Sequence, residues 1–199
     1  LRVPIDHARP HGEQIALSLL RRPAEKSAAR IGVLLVNPGG PGISAVDYLR
    51  NGAPRWAAEL RERFDLVAFD TRGTGASGGL DCRESLDAYL AQNPTPVSDA
   101  EWASAVAVSR ALAAECTRNH EALLPRMGSA ESARDMDRVR AALGVEQVSY
   151  LGFSYGTALG ASYARLFPER VRAMVLDGAI DPGFELLTIY YGDGATLDD

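Results

Sequence analysis

The sequence predicts an α/β fold built on a mostly parallel, doubly wound sheet, and three observations lead there. Four short apolar runs, at residues 31–36, 64–69, 147–153 and 171–176, have the length and composition of buried strands. Most of them are separated by stretches whose apolar residues recur at three- and four-residue intervals, as on one face of a helix. Three of the loops that follow these runs carry the short polar and glycine-rich motifs that such sheets place at the carboxyl ends of their strands.

In chain order, residues 13–20 (EQIALSLL) alternate partly and lead into Arg21-Arg22-Pro23, which predicts one edge strand ended by the proline. The run IGVLLV at 31–36 is followed by Asn37-Pro38-Gly39-Gly40-Pro41-Gly42 and then by Val46, Leu49 and Trp56, a helical spacing. FDLVAF at 64–69 ends at Asp70 and a second glycine-rich loop. Ser98 and Glu101 match a capping box, after which Trp102, Val106, Ser109, Leu112 and Cys116 predict a helix with one largely apolar face. Ala133, Met136, Val139 and Leu143 predict another, with Arg138 and Arg140 in its last turns and Gly144 just past its end. A further helix follows Ser154 and stops before Pro168.

The 199 residues, 46% hydrophobic and 24% charged, fit one globular domain with no internal repeat or linker. A net charge of −5 with no run of five like charges argues against nucleic-acid binding. No apolar stretch approaches the roughly 20 residues of a transmembrane helix, so no membrane partner is expected. No metal or cofactor is expected either. Cys82 and Cys116 lack the CxxC spacing of a zinc or redox site, and read from the residues alone they are either one bridge or two thiols. His7 and His11 have i, i+4 spacing, but Pro10 lies between them, which points to a surface loop.

The chemistry concentrates at Gly152-Phe153-Ser154-Tyr155-Gly156, a G-x-S-x-G at a strand-to-helix boundary. Such a turn is sharp enough to strain the serine backbone, and Gly152 and Gly156 remove the side chains that would obstruct it. Ser154 is then held out as a nucleophile, with the Tyr155 N–H and the positive end of the following helix directed at a developing oxyanion. The 37–42 loop stands where a second oxyanion donor belongs, and Gly40 is the candidate. Gly73, Gly75 and Gly78 formally match G-x-G-x-x-G and raise a dinucleotide-binding alternative. It fails because Asp70-Thr71-Arg72 separates strand from glycine, and because a loop at 94–99 stands where a ribose-binding acid should end a strand.

Together, VPIDHARP at 3–10, NPGGPG at 37–42, FDLVAFDTRGTGAS at 64–77, GFSYGT at 152–157 and VLDGAIDP at 175–182 resemble, in that order, the tripeptidyl and prolyl aminopeptidases, serine exopeptidases of the α/β-hydrolase fold. The resemblance covers essentially the whole chain. It implies Ser154 as nucleophile, Gly40 and Tyr155 as oxyanion-hole donors, a Cys82–Cys116 disulfide as in secreted members, and hence a secreted or extracytoplasmic location. The implied substrate is a peptide with a free N-terminus, and the implied reaction is acyl transfer through Ser154. An esterase or small-amide hydrolase of the same fold is the alternative, and a non-catalytic binding module on a hydrolase half-fold is the alternative of another class. Ile43-Ser44-Ala45 departs from the Gly-Ser-Gly of many relatives.

The triad order in this fold is serine, acid, histidine, yet His7, His11 and His120 all precede Ser154. Asp177 ends the fourth run, a position from which some hydrolases supply the acid, although in the aminopeptidases the acid follows the next strand. The expectation is an N-terminal half whose triad Asp and His lie outside these residues, in a C-terminal half of the same enzyme that acts as its partner. Residues 1–182 are expected to form the core up to the strand before the cap insertion, and residues 183–199 to begin a helical cap.

Overall fold

A computed structural model describes residues 1–52 and 56–180, and the expected cap segment at 183–199 lies outside them. Five strands form the central sheet in the order β3-β5-β4-β6-β7: β3 (Leu19–Arg22), β4 (Gly32–Asn37), β5 (Phe64–Phe69), β6 (Val148–Phe153) and β7 (Val171–Asp177). Only β3 runs antiparallel, pairing Leu19 with Phe69 and Arg22 with Leu66. The β4, β5, β6 and β7 pairings are parallel, as the alternation of strands and helices predicts.

Period-two alternation decides which side chains go to which face. Val33 and Leu35 of β4 with Val67 and Phe69 of β5 enter one core, with Ala133, Met136 and Val139 of α5 (Ser129–Ala142) and Leu159 and Tyr163 of α6 (Tyr155–Leu166). Leu34, Val36, Leu66 and Ala68 point the other way onto Ala45 and Leu49 of α1 (Ala45–Gly52), with Leu60 of α2 (Ala58–Arg63) packed alongside. Helices on both faces make the sheet doubly wound. Burying a strand on both faces is what demands an uninterrupted apolar run, and β4 and β5 are such runs.

Two expectations need correction. The single strand predicted over residues 13–20 is two, interrupted at Leu17 and Ser18. β2 (Gln14–Ala16) pairs with β1 (Arg2–Pro4) in a separate two-stranded sheet, whereas β3 joins the main one. The Leu17 N–H donates to Leu1 O at 2.7 Å and the Ser18 N–H to Ser77 Oγ at 2.9 Å, bonds that anchor the break. The second correction concerns the helix after the capping box, which is α4 (Asp99–Asn119). The box forms as predicted, but Trp102 is 63% exposed, and Glu115 is the one buried residue of the helix among those described. This helix packs on α3 (Arg83–Leu90) as a hairpin instead of covering the sheet. The Cys82–Cys116 disulfide closes that hairpin, and Glu115 accepts the Glu84 and Ser85 N–H groups at 3.1 and 2.7 Å.

Candidate active site

The G-x-S-x-G lies where β6 ends and α6 begins. Ser154 has φ 51°, the one positive φ on a non-glycine among the described residues. A left-handed serine costs of order 1–3 kcal/mol and persists only where its surroundings hold it. They do so here from both sides. The Ser154 N–H donates to Asp177 O at the end of β7 (2.9 Å), and Ser154 O accepts from Thr157 N (2.8 Å) and Thr157 Oγ1 (2.6 Å). The side chain is left exposed above the sheet, beside the first turn of a twelve-residue helix whose leading amides have no intrahelical acceptor.

The glycines are required by contact as much as by conformation. A Cβ on Gly152 would lie 2.5 Å from Gly156 O and 2.6 Å from the Tyr150 ring, and one on Gly156 would lie 2.7 Å from Asn37 O. Tyr150 donates its hydroxyl to Gly156 O at 2.7 Å, and burial pushes that phenol well above its ordinary pKa. It stays neutral and acts as a strut between strand and helix.

The 37–42 loop reaches the same point from β4. Gly39 is buried with φ 100°, and a Cβ there would stand 2.5 Å from Phe153 O, 3.0 Å from Ser154 Cβ and 3.2 Å from Tyr155 N. Its own N–H is committed to Asn37 Oδ1 at 2.9 Å. Gly40, the sequence candidate, is exposed, and its N–H meets no acceptor among the described residues. Asn37 and Thr157 escaped the sequence reading, for neither carries a spacing signal that separates it from an ordinary loop or helix residue.

Asp70 holds the loop from behind. Its buried carboxylate accepts Ser44 Oγ (2.9 Å) and Val46 N (3.1 Å) at the start of α1 and Ala76 N (3.2 Å) in the loop after β5. Gly75 must be glycine, since a Cβ would lie 2.3 Å from Asp70 Oδ2. The second glycine-rich loop thus wraps a carboxylate of its own chain.

The histidines are occupied or distant in bonding terms. His7 Nε2 lies 2.9 Å from Asp135 Oδ1, His120 Nε2 accepts from the Asp81 N–H at 2.7 Å, and His11 is exposed on the N-terminal segment. None of the three bonds Ser154. Asp177 reaches Ser154 through its backbone carbonyl. Among the described residues no cluster of three or more His, Cys, Asp or Glu side chains could hold a metal, and no helix is long and apolar enough to cross a membrane.

The strand-to-helix serine with φ 51° lies against the buried Gly39, and the α/β hydrolase fold family matches residues 32–198. The chain belongs to the α/β hydrolase family. It is 39% identical over 186 residues to serine protease Hip1 of Mycobacterium tuberculosis, covering 92% of this chain and 35% of the relative. To the tripeptidyl aminopeptidase of Streptomyces lividans it is also 39% identical over 186 residues, covering 90% and 34%. To carboxylesterase B of M. tuberculosis it is 48% identical over 185 residues, covering 90% and 35%. Among solved structures, a marine microorganism esterase superposes with a TM-score of 0.51 at 14% identity over 92% of this chain and 49% of that one, a likeness of fold alone. The chain spans about a third of the length of these curated relatives.

Proposed function

We propose that this chain carries the nucleophile half of a serine exopeptidase that releases short peptides or single residues from a free N-terminus. The observation that carries the reading is the φ 51° of Ser154, a strain held in place by Asp177 O and Thr157 while the hydroxyl stays exposed. Ser154 Oγ attacks the scissile carbonyl and gives its proton to a histidine base outside these residues, which an acid orients. The negative oxygen of the tetrahedral intermediate accepts from the Tyr155 and Gly40 N–H groups. As it collapses, the same histidine returns the proton to the departing amine. Water then cleaves the acyl ester on Ser154. Assigning the base and acid to a C-terminal half of the same enzyme is supported by relatives of which this chain spans about a third, and none of His7, His11 and His120 bonds Ser154.

The tripeptidyl aminopeptidase and Hip1 relatives support the peptidase reading. A second reading, a carboxylesterase using the same serine, is favoured by the 48% identity to carboxylesterase B. The Cys82–Cys116 bridge supports a secreted or extracytoplasmic location, since such bonds persist in oxidising compartments.

The full-length enzyme should be treated with an active-site phosphonate and assayed on a peptide anilide with a free or acetylated N-terminus and on a simple ester. Labelling at Ser154, with turnover of the free-amine anilide and not of the acetylated one, is the expected result. Equal turnover of both anilides, or turnover of the ester alone, would replace peptidase by esterase. Full turnover by Ser154→Ala would remove the nucleophile assignment.

A further inference from the structure

Thr157 is buried at 1% exposure, one turn into α6 from the serine, and its hydroxyl has two partners. It donates to Ser154 O at 2.6 Å and accepts from the Ile180 N–H at 2.9 Å. Ile180 belongs to the turn that leaves β7, and the same turn begins with Asp177, whose carbonyl holds the Ser154 N–H at 2.9 Å. Gly178, with φ 68°, lies between them, and a Cβ there would be in ordinary contact with Ser154 N at 3.7 Å. The serine backbone is therefore gripped at its N–H directly by the turn and at its C=O through Thr157, which is itself anchored to that turn.

We infer that Thr157 is a positioning residue for the Ser154 nucleophile, its hydroxyl clamping the strained serine to the turn at 177–180. The inference rests on the proposed role of Ser154 and deepens it. A hydroxyl is what the place requires. It is the smallest side-chain group that donates to one backbone atom and accepts from another, and both Ser154 O and Ile180 N point at it. The clamp exploits the parallel pairing of β6 with β7: β7 comes after α6 in sequence, and its last residue lies beside the end of β6, at the turn that β6 and α6 form. Without the hydroxyl, Ser154 O keeps only the Thr157 N–H bond and the turn loses its tie to α6. The serine can then relax toward an ordinary backbone conformation, carrying Oγ and the neighbouring Tyr155 N–H away from a shared substrate carbonyl. Displacements of this kind cost rate more than binding, because the substrate is held by other groups.

The test uses the full-length enzyme and measures phosphonate inactivation together with kcat and KM on whichever ester or anilide the parent turns over. Ser154→Ala comes first. If that variant is still labelled at the parent rate, the nucleophile reading fails before Thr157 is considered. Given a silent Ser154→Ala, Thr157→Val keeps the shape and removes both hydrogen bonds. It should lower inactivation rate and kcat on the order of tenfold to a hundredfold with KM within about threefold, and Thr157→Ser should recover most of the loss. Circular dichroism confirms folding, and Thr157→Ala replaces the valine variant should that one fail to fold. Parent-like rates in Thr157→Val, a Thr157→Ser variant as slow as the valine one, or loss of fold in both the valine and alanine variants would each overturn the inference.

Discussion

Arg72 and Asp135 form a bidentate ion pair with neither side chain exposed: Nε donates to Oδ2 at 2.8 Å and Nη2 to Oδ1 at 2.7 Å. The other donors of Arg72 meet the carbonyls of Ile5 (2.8 Å), Arg126 (2.9 Å) and Pro4 (3.2 Å). One guanidinium thereby ties the N-terminal segment, the loop after β5 and α5 into a single unit. That loop begins with Asp70, the group that holds the start of α1 and so the end of the 37–42 loop. Asp135→Ala leaves the guanidinium buried without its counter-charge, and urea unfolding should show a loss of about 3–5 kcal/mol. A loss under about 1 kcal/mol would mean that the carbonyls alone satisfy Arg72.

Gly39→Ala should abolish activity. The added methyl meets Phe153 O at 2.5 Å and the Ser154 side chain at 3.0 Å, and φ 100° is foreign to alanine. Phosphonate labelling of Ser154 in the full-length enzyme should fall by on the order of a hundredfold or more. Gly42→Ala shares the positive φ but has nothing within 4 Å of its Cβ, so it separates backbone strain from collision. Equal losses in the two variants would show that strain alone matters.

Replacing both Cys82 and Cys116 by serine should loosen the α3–α4 hairpin and leave the sheet intact. The bridge closes a separation of 34 residues, worth roughly 4 kcal/mol in the chain-entropy account. Most of α4 is not buried against the core, so little else restrains it. Limited proteolysis should cut the variant within residues 83–119 well before the parent. Identical digestion of both would show that helix packing suffices, and free thiols in protein isolated without reductant would withdraw the reason for an extracytoplasmic location.

Acid should destabilise the fold through Asp65 and Asp137. Burial by itself would push the Asp65 carboxyl up, but the Ala24 N–H (2.9 Å), Arg21 (2.8 Å) and Arg30 (2.9 Å) outweigh it and hold the group below the usual carboxylate range. Asp137 is likewise held low, with burial opposed by Arg140 and Arg170. A carboxylate whose folded pKa is depressed stabilises the fold above its unfolded value of about 3.9 and loses that contribution as pH falls through the folded value. Urea midpoints should therefore decline from about pH 5 downward, and Asp65→Asn should flatten the decline. A variant whose midpoints run parallel to the parent's would exclude Asp65 as a source.

How much of this could be read in advance differs from residue to residue. Ser98 and Glu101 form their capping box because both partners lie within one turn, and Gly144 takes φ 68° just past α5 as its position predicts. Gly152 and Gly156 were visible as part of a spaced motif. Trp102 misled, because an apolar spacing shows that a helix has a face to bury and not what lies opposite it, which here is α3 and solvent. Asn37, Asp70 and Thr157 gave no signal, since each works by bonding a residue remote in sequence or a backbone atom set by a sharp turn.

The sequence by itself determined the four parallel strands, the helices α1, α4, α5 and α6 and the strand-to-helix boundary at Ser154, because apolar periodicity, capping residues and glycine placement act over a few residues. Tertiary structure alone decided that Ser154 keeps its strained backbone, that Gly39 packs against the turn at Ser154 while the Gly40 N–H meets no acceptor among the described residues, and that the acidic and basic groups of the interior pair as they do. The reason is physical. The bonds responsible join the end of β7 to the turn between β6 and α6, and the loop after β5 to α1 and α5, and the parallel order of β4, β6 and β7 brings the ends of those strands together.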